Sequence, residues 1–222
     1  MTTPEPFQRA RRPEQKEERR QHLLDTARTA LHGGMELSEL GLNELARQAQ
    51  MTKSNVYRYF ENREELLLAL LEEESAQWSA ELSDRLAAAA PVTPEQIARE
   101  FASASMAYPL MCRLFSILPS IIERNVSPER LTQFKRNSLA LMAGVAEQLH
   151  RLAPVLPVTA YVEFLRLAIA LMIGLWPLGC PAAALAGVLA LPDLQPLRYD
   201  FEADLGTGLM LVLRGLETRA AG

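Results

Sequence analysis

The stretch MTKSNVYRYFENREELLLAL, residues 51–70, holds the densest set of chemically capable side chains in the chain. Thr52, Lys53, Ser54, Asn55, Tyr57, Arg58 and Tyr59 all carry hydrogen-bonding groups, and only Val56 interrupts them. Arg and Asn can each make paired hydrogen bonds to one base edge, while Ser, Thr, Tyr and Lys reach phosphate oxygens. Val56 and Phe60, four apart, supply an apolar anchor that would turn the polar set outward. A short helix of this kind fits the major groove of duplex DNA, about 12 Å wide. The same segment could instead be a polar connector in a helical bundle.

No catalytic or metal-binding pattern competes with it. The chain has no GxSxG, no GxxxxGK[ST] and no strand–glycine–helix fingerprint, and GTGL at 206–209 lies inside a helical pattern. His22, His32 and His150 are far apart, and Cys112 and Cys180 form no CxxC pair. Neither a metal site nor a bound cofactor is expected, and no enzymatic activity. Two such cysteines fit a reduced, cytoplasmic setting, and the polar, charged start carries no apolar leader segment.

The elements that must position the polar set read as helices throughout, with no period-2 strand and no hairpin signal. A first helix is expected over about 13–32, with Leu23, Leu24, Ala27, Ala30 and Leu31 on one face and Gly33-Gly34 at its end. Two short helices follow, near 41–48 and 53–59. A long helix opens at Asn62, which can cap it with Glu65 as capping-box partner, and buries Leu67, Leu70, Leu71, Trp78 and Leu82. After a break at Pro91, Thr93-Pro94-Glu95-Gln96 is a cap, an N1 proline and a capping-box Gln. Pro109 interrupts that helix, and a further one ends near Arg124. Ser127-Pro128 opens a helix to about Arg151, striped by Leu131, Phe134, Leu141, Val145 and Leu149. The last two run over about 159–176 and 200–217, giving nine helices and an all-α fold. FLRLAIALMIGLWPLG is short for a membrane span, contains Arg166 and is expected to stop at Pro177, so burial on nearly all sides explains it and no membrane contact is expected.

The charge is unevenly spread. The 222 residues carry a net charge of −4, yet residues 1–63 hold 11 Lys/Arg against 9 Asp/Glu. A basic N-terminal end on an acidic body suits a protein that touches an anion with one end only. Residues 1–12 are polar, proline-punctuated and basic, and are expected to form a disordered arm.

LLDTARTAL and LNELARQAQMTKSNVYRYFENREELLLAL, within residues 21–71, resemble the DNA-binding domain of the TetR family of bacterial transcriptional regulators. VYRYFENREELL is similar to that family's YxYF-x-x-[KR]-x-x-L signature. The resemblance implies a helix–turn–helix domain over 13–61 and a helical ligand-binding and dimerisation domain over 62–222. It implies a recognition helix at about Thr52 to Tyr59. Lys53, Ser54, Asn55 and Arg58 would contact bases or groove, and Thr52, Tyr57, Tyr59 and Arg63 would contact phosphates. Two positions depart from the pattern. Gly41 stands where a Ser or Thr would cap the first short helix and touch phosphate, leaving only its backbone N–H. Gln50 stands at a turn position usually held by Gly, where a positive φ would cost of order 1 kcal/mol.

The family plan further implies a homodimer through the helices at 159–176 and 200–217, with Gly174 permitting close approach, and an inverted-repeat DNA operator. A small, largely hydrophobic effector would then occupy the middle helices. Phe101, Met106, Tyr108, Met111, Phe115, Phe134, Met142 and Trp176 are candidate lining residues, since methionine and aromatic side chains suit an adaptable apolar pocket. Arg113 and Glu123 interrupt the apolar run and could orient a polar ligand group. The expected function is a repressor released from its operator by ligand. The alternative is an architectural or partner-binding protein of the same fold without a small-molecule switch.

Overall fold

A computed structural model describes residues 13–89 and 92–221, so the basic arm at 1–12 and the break at Pro91 fall outside it. The chain divides into two compact units, with the boundary between Leu66 and Leu67. Among the described residues the structure is entirely helical apart from turns and connecting loops.

In the first unit α1 (Pro13–His32) buries Leu23, Leu24, Ala27 and Leu31, as its 3.6-residue stripe predicts. Gly34 ends it with φ 98°, and the N–H groups of Gly34 and Met35 donate to the Leu31 and Ala30 carbonyls at 3.4 and 3.1 Å. This Schellman closure needs a left-handed residue, which glycine adopts without a Cβ penalty. The next helix, α2 (Leu42–Gln48), closes in the same way with Gln50 at φ 53°. Its N–H and that of Met51 donate to the Arg47 and Ala46 carbonyls at 3.3 and 2.9 Å. The left-handed turn expected at Gln50 is therefore present, with a side chain in a glycine position. Leu42, Leu45 and Ala46 form the buried face of α2.

The segment expected as one helix over 52–59 is regular only across α3 (Lys53–Val56). It then tightens: Arg58 and Tyr59 donate to the carbonyls of Asn55 and Val56, three residues back, at 3.2 and 2.9 Å. Val56 and Phe60 are fully buried and pin both ends of this stretch. Asn62 caps α4 (Arg63–Ala88) through Oδ1, which accepts from the Glu65 N–H at 2.8 Å. Glu65 reaches one residue further back than a capping box requires, and accepts from the Glu61 N–H at 2.7 Å.

The second unit begins within α4, where every residue from Leu67 to Leu71 is buried and not merely one stripe. α5 (Pro94–Ala107) starts with the expected capping box between Thr93 and Gln96. Pro109 forces its predecessor Tyr108 out of helical geometry, to φ −116° and ψ 63°, and the chain turns by 90° into α6 (Pro109–Ile117). A single π turn over Leu118–Ile122 follows, containing Pro119, which has no N–H for the regular ladder, and α7 (Glu123–Asn125) completes the sixth expected helix. α8 (Pro128–Leu152) is capped by Ser127, and α9 (Val158–Gly179) runs three residues past its expected end because Pro177 sits inside its last turn. A tenth helix, α10 (Ala183–Leu189), is additional, and α11 (Phe201–Ala221) closes the chain.

α9 lies at the centre of this unit, with α6, α8 and α11 packed on it and α5 packed on α11. At 22 residues and mean hydropathy 1.8 it is long and apolar enough to cross a membrane. The expected burial on nearly all sides is not met within the chain: Tyr161, Phe164, Leu165, Ala168, Met172 and Trp176 form one buried face, but only 33% of the apolar window is buried and Leu167 and Leu178 are exposed. Its end is tightly fitted: a Cβ on Gly179 would stand 2.8 Å from that of Phe201, so a side chain there would push α11 away. Gly174, by contrast, has nothing from this chain within 4 Å of where its Cβ would be.

Two expectations follow from α2. Gln50→Gly should stabilise the protein by about 0.5–1 kcal/mol, read as a raised denaturation midpoint, whereas Gln50→Ala should give no gain. The second concerns Glu44, whose carboxylate accepts from Arg47 Nε and Gln48 Nε2, both at 2.9 Å. The Arg47 bond, with help from Gln48, draws its pKa from 4.5 down to about 2. A depressed carboxylate pKa stabilises the fold above the unfolded value and loses that effect as pH falls through the folded value. The stability difference between the native protein and Glu44→Gln should therefore be full above pH 4.5 and vanish on acidification towards pH 2.

Candidate nucleic-acid interface and ligand cavity

The first unit presents the polar set as its packing requires. Val56 and Phe60 take the inward positions, so Thr52, Lys53, Ser54, Tyr57 and Arg58 are exposed, while Asn55 and Tyr59 are half-buried. Thr52 Oγ1 lies 3.2 Å from Ser54 Oγ and makes no cap bond to the helix it precedes. Three other cations of this unit are engaged, Arg20 with Glu17, Arg28 with Asp25 and Arg47 with Glu44. Lys53 and Arg58 have no ion-pair partner among the described residues. Positive charge is thus left available beside the exposed hydroxyls and Asn55, as it is at Lys16 and Arg19 near the start of α1.

Two of the expected contact residues are placed differently. Arg63 is half-buried, and its Nη2 and Nε donate to Glu64 Oε1 at 2.8 and 3.1 Å, so part of its donor set is already used. The Gly41 N–H, the one group through which that residue could meet a phosphate, donates to the Glu39 carbonyl at 3.0 Å. It is a turn donor and not a free one. Sequence reading missed two contacts that brace this unit. His22 Nε2 lies 3.3 Å from the carbonyl of Ala49, at the end of α2, and the Arg20 guanidinium lies 5.7 Å from the centre of the Phe60 ring. Their long sequence separations left no local pattern to find them by.

The second unit contains a cavity of about 330 Å³. α4 contributes Glu72, Ser75, Ala76 and Trp78, α5 contributes Phe101, and α6 contributes Met111 and Phe115. Phe134, Asn137, Ser138, Leu141, Met142 and Val145 project from α8 at helical spacing, and Leu165, Ile169 and Met172 from α9. Its volume is at the small end of the range for ligand sites, about 300–1,000 Å³, and apolar atoms dominate the wall. Phe101 organises the floor, edge-on to Trp78 at 4.8 Å and to Phe164 at 6.1 Å between ring centres.

Of the eight expected lining residues, Phe101, Met111, Phe115, Phe134 and Met142 border the cavity. Met106 does not: it lies on the outer side of α5 and is 44% exposed. Tyr108 sits at the bend before Pro109, half-buried, with its hydroxyl turned to the Glu81 carboxylate. Trp176 continues the Leu165–Ile169–Met172 stripe one turn beyond the cavity and packs edge-on against Phe201 at 4.8 Å. Glu123 pairs with Lys135 outside the cavity, and Arg113 is not part of the wall.

Two polar clasps join α4 and α8. Arg130 forks onto Glu72, with Nη1 3.3 Å from Oε1, and Asn137 Nδ2 donates to the same oxygen at 3.0 Å. Further along, the Ser83 hydroxyl donates to Gln148, whose Nε2 donates back to the Ser83 carbonyl at 3.3 Å. The two helices therefore run in the same direction, tied at two levels with apolar lining between. One polar atom among the described buried side chains has no partner: the indole N–H of Trp78.

Comparison with known proteins agrees with this architecture. Residues 23–70 match the model for bacterial regulatory proteins of the tetR family, and residues 72–220 match a tetracyclin repressor-like C-terminal domain. No curated protein matches the sequence. A TetR transcriptional regulator from Rhodococcus sp. RHA1 is similar in structure, with a TM-score of 0.52 at 16% identity over 89% of this chain and 96% of that one. The fatty acid degradation regulator FadR from Bacillus halodurans gives 0.53 at 13% identity over 89% and 95%. A possible TetR family regulator from Streptomyces coelicolor A3(2) gives 0.52 at 19% identity over 93% and 100%. At these identities the solved structures establish a shared fold, while the two family matches between them take in nearly the whole described chain; it belongs to the TetR family of bacterial transcriptional regulators.

Proposed function

We propose that this regulator is a cytoplasmic homodimeric repressor that leaves an inverted-repeat operator when a small hydrophobic molecule fills the cavity of the second unit. The single observation that carries the reading is the cavity itself, an apolar space where a plain structural bundle would be filled. The alternative, an architectural protein without a switch, has no need of it.

In this reading α3 and the turn after it enter the major groove, Arg58 and Asn55 address base edges, and Lys53, Ser54, Thr52, Tyr57 and Tyr59 hold the backbone. Arg63 serves as a phosphate contact only by sharing its guanidinium with Glu64. Exposed Leu167 and Leu178 on α9, and Leu211 on α11, 69% exposed, support a second copy docking on these helices. The expected dimer would place two recognition elements about one helical turn apart or more.

Coupling would run along α4. The helix that carries Glu72, Ser75, Ala76 and Trp78 into the cavity wall is the one that starts at the cap formed by Asn62, directly after the recognition stretch. A ligand that shifts α4 changes the spacing of the recognition elements, for a coupling free energy of about 1–3 kcal/mol.

Selection from a random DNA pool at about 150 mM salt tests the first half, with an inverted repeat as the expected product. On that operator Arg58→Ala should cost about 1–3 kcal/mol and relax specificity at one position. Lys53→Ala should weaken all sequences alike and lower the salt slope by about one. Equal loss on all sequences for Arg58→Ala would make it a phosphate contact. Folded protein that enriches no sequence would favour the architectural alternative.

A further inference from the structure

We propose that the segment between α9 and α11 is an exchanged arm: α10 of one copy docks in the groove between α5 and α11 of a second copy of this chain. The inference rests on the dimeric reading above and adds the segment and the receiving surface that extend the interface.

Nothing in its own chain accounts for α10. Its sequence, AALAGVL, is wholly apolar, yet every residue from Ala183 to Val188 is exposed and Leu189 is only half-buried. Across residues 182–200, Leu194 is the only other residue that is not fully exposed. Leu185, Val188, Leu191, Leu197 and Tyr199 are each between 47% and 61% open to solvent. A helix of 7 residues is marginal in water without packing, and this one holds Gly187 and has no side-chain cap at its start. It needs a surface that a single copy does not supply.

The extent and place of the exposed area favour a second copy. Leu167 and Leu178 of α9 and Leu211 of α11 present on the order of 300 Å², short of the ~800 Å² that each partner buries in a stable interface. The exposed apolar residues of the 182–200 segment add on the order of 500 Å², a large patch for a monomer to leave open. The segment starts directly after α9, so the apolar surface of the two helices continues into it. A membrane fits less well. Interfacial helices carry Lys and Arg on their polar face, whereas the charges here are Asp193, Arg198 and Asp200.

The receiving groove is lined by Ala98 and Ala102 of α5 and by Ala203, Gly206, Met210 and Leu211 of α11, and apolar atoms dominate its wall. A Cβ on Gly206 would stand 3.7 Å from that of Ala102, so the two helices meet closely and leave a trough floored by small residues. Leu185, Val188 and Leu189 share one side of α10 at helical spacing and form a ridge of matching character. Leu211 lines the groove and is also the most exposed large apolar residue of α11, so the groove borders the dimer face. In a two-fold dimer each arm meets the other copy's groove, and the contact is made twice.

The test measures dimer dissociation of the full-length protein by sedimentation equilibrium. Native protein is compared with the double variant Leu185→Glu/Val188→Glu on the arm and with Ala203→Glu on the groove. All three positions are exposed in the single chain, and circular dichroism checks that the fold survives. The dimer Kd should rise roughly a hundredfold for either variant, since each substitution enters the interface twice. A second measurement places a benzophenone on Val188→Cys in Cys180→Ser protein, where the remaining Cys112 is buried. In a mixture of unlabelled and 15N-labelled protein, adducts should join chains of different mass at α5 or α11.

Dimers that survive the arm and groove substitutions but dissociate in Leu167→Glu overturn the arm and leave the dimeric reading standing. Adducts confined to single chains, or joining copies outside α5 and α11, overturn the assigned site. Native protein that stays monomeric at roughly 100 μM overturns both readings, and its co-sedimentation with phosphatidylglycerol vesicles would then identify lipid as what covers α10.

Discussion

The second unit depends on keeping α4 and α8 apart. An apolar space in a protein interior tends to close, because every wall atom lacks a packing partner on one side. Here the two helices are linked by side chains long enough to span a gap, Glu72 to Arg130 and Asn137 at one level and Ser83 to Gln148 at the other. Polar clasps of this kind add little net stability, but they fix separation and register, since breaking one partner away leaves a half-buried polar group unsatisfied. Phe101, wedged between Trp78 and Phe164, fills the floor beneath them. The void is thus a consequence of directional bonds opposing a non-directional collapse.

The first unit solves a different problem, that of leaving charge free. A chain with a net charge of −4 can present a positive face only if its acidic residues are occupied elsewhere. Glu17, Asp25 and Glu44 each hold a neighbouring arginine one helical turn away. These short-range pairs neutralise three arginines of α1 and α2 locally, and Lys53 and Arg58 stand outside them, as do Lys16 and Arg19. The depressed pKa of Glu44 is the same fact seen from the acid.

What the sequence disclosed follows the range of the forces involved. Caps, buried stripes and the left-handed turn at Gln50 are settled within a few residues, and they were legible: Thr93 with Gln96, Asn62 with Glu65, Val56 with Phe60. The family signature at 57–66 added the identity of the first unit. The ends of elements were less so. Pro177 reads as a stop but is tolerated in the last turn of α9, and Pro119 turns one stretch into a π turn without ending it. Cavity membership was legible only where helical periodicity pointed inward. Trp176 obeyed the period but stood one turn too far along, and Met106 lay on the opposite side of α5. Trp78 was legible as part of the buried α4 stripe, whereas Glu72, the ionisable residue of the wall, gave no local signal. Its partners, Arg130 and Asn137, lie on α8, more than fifty residues away.

The tightening of the chain after Val56 changes how that surface is addressed. In a regular α-helix successive side chains advance by 100°, so Asn55 and Arg58 would diverge by some 60° around the axis. Bonds to the third residue back at Arg58 and Tyr59, between α-type bonds at Tyr57 and Phe60, draw that angle in and bring Asn55 and Arg58 closer to one direction. The direction of this short stretch is therefore set less by the pitch of a helix than by the two buried anchors at its ends, Val56 and Phe60.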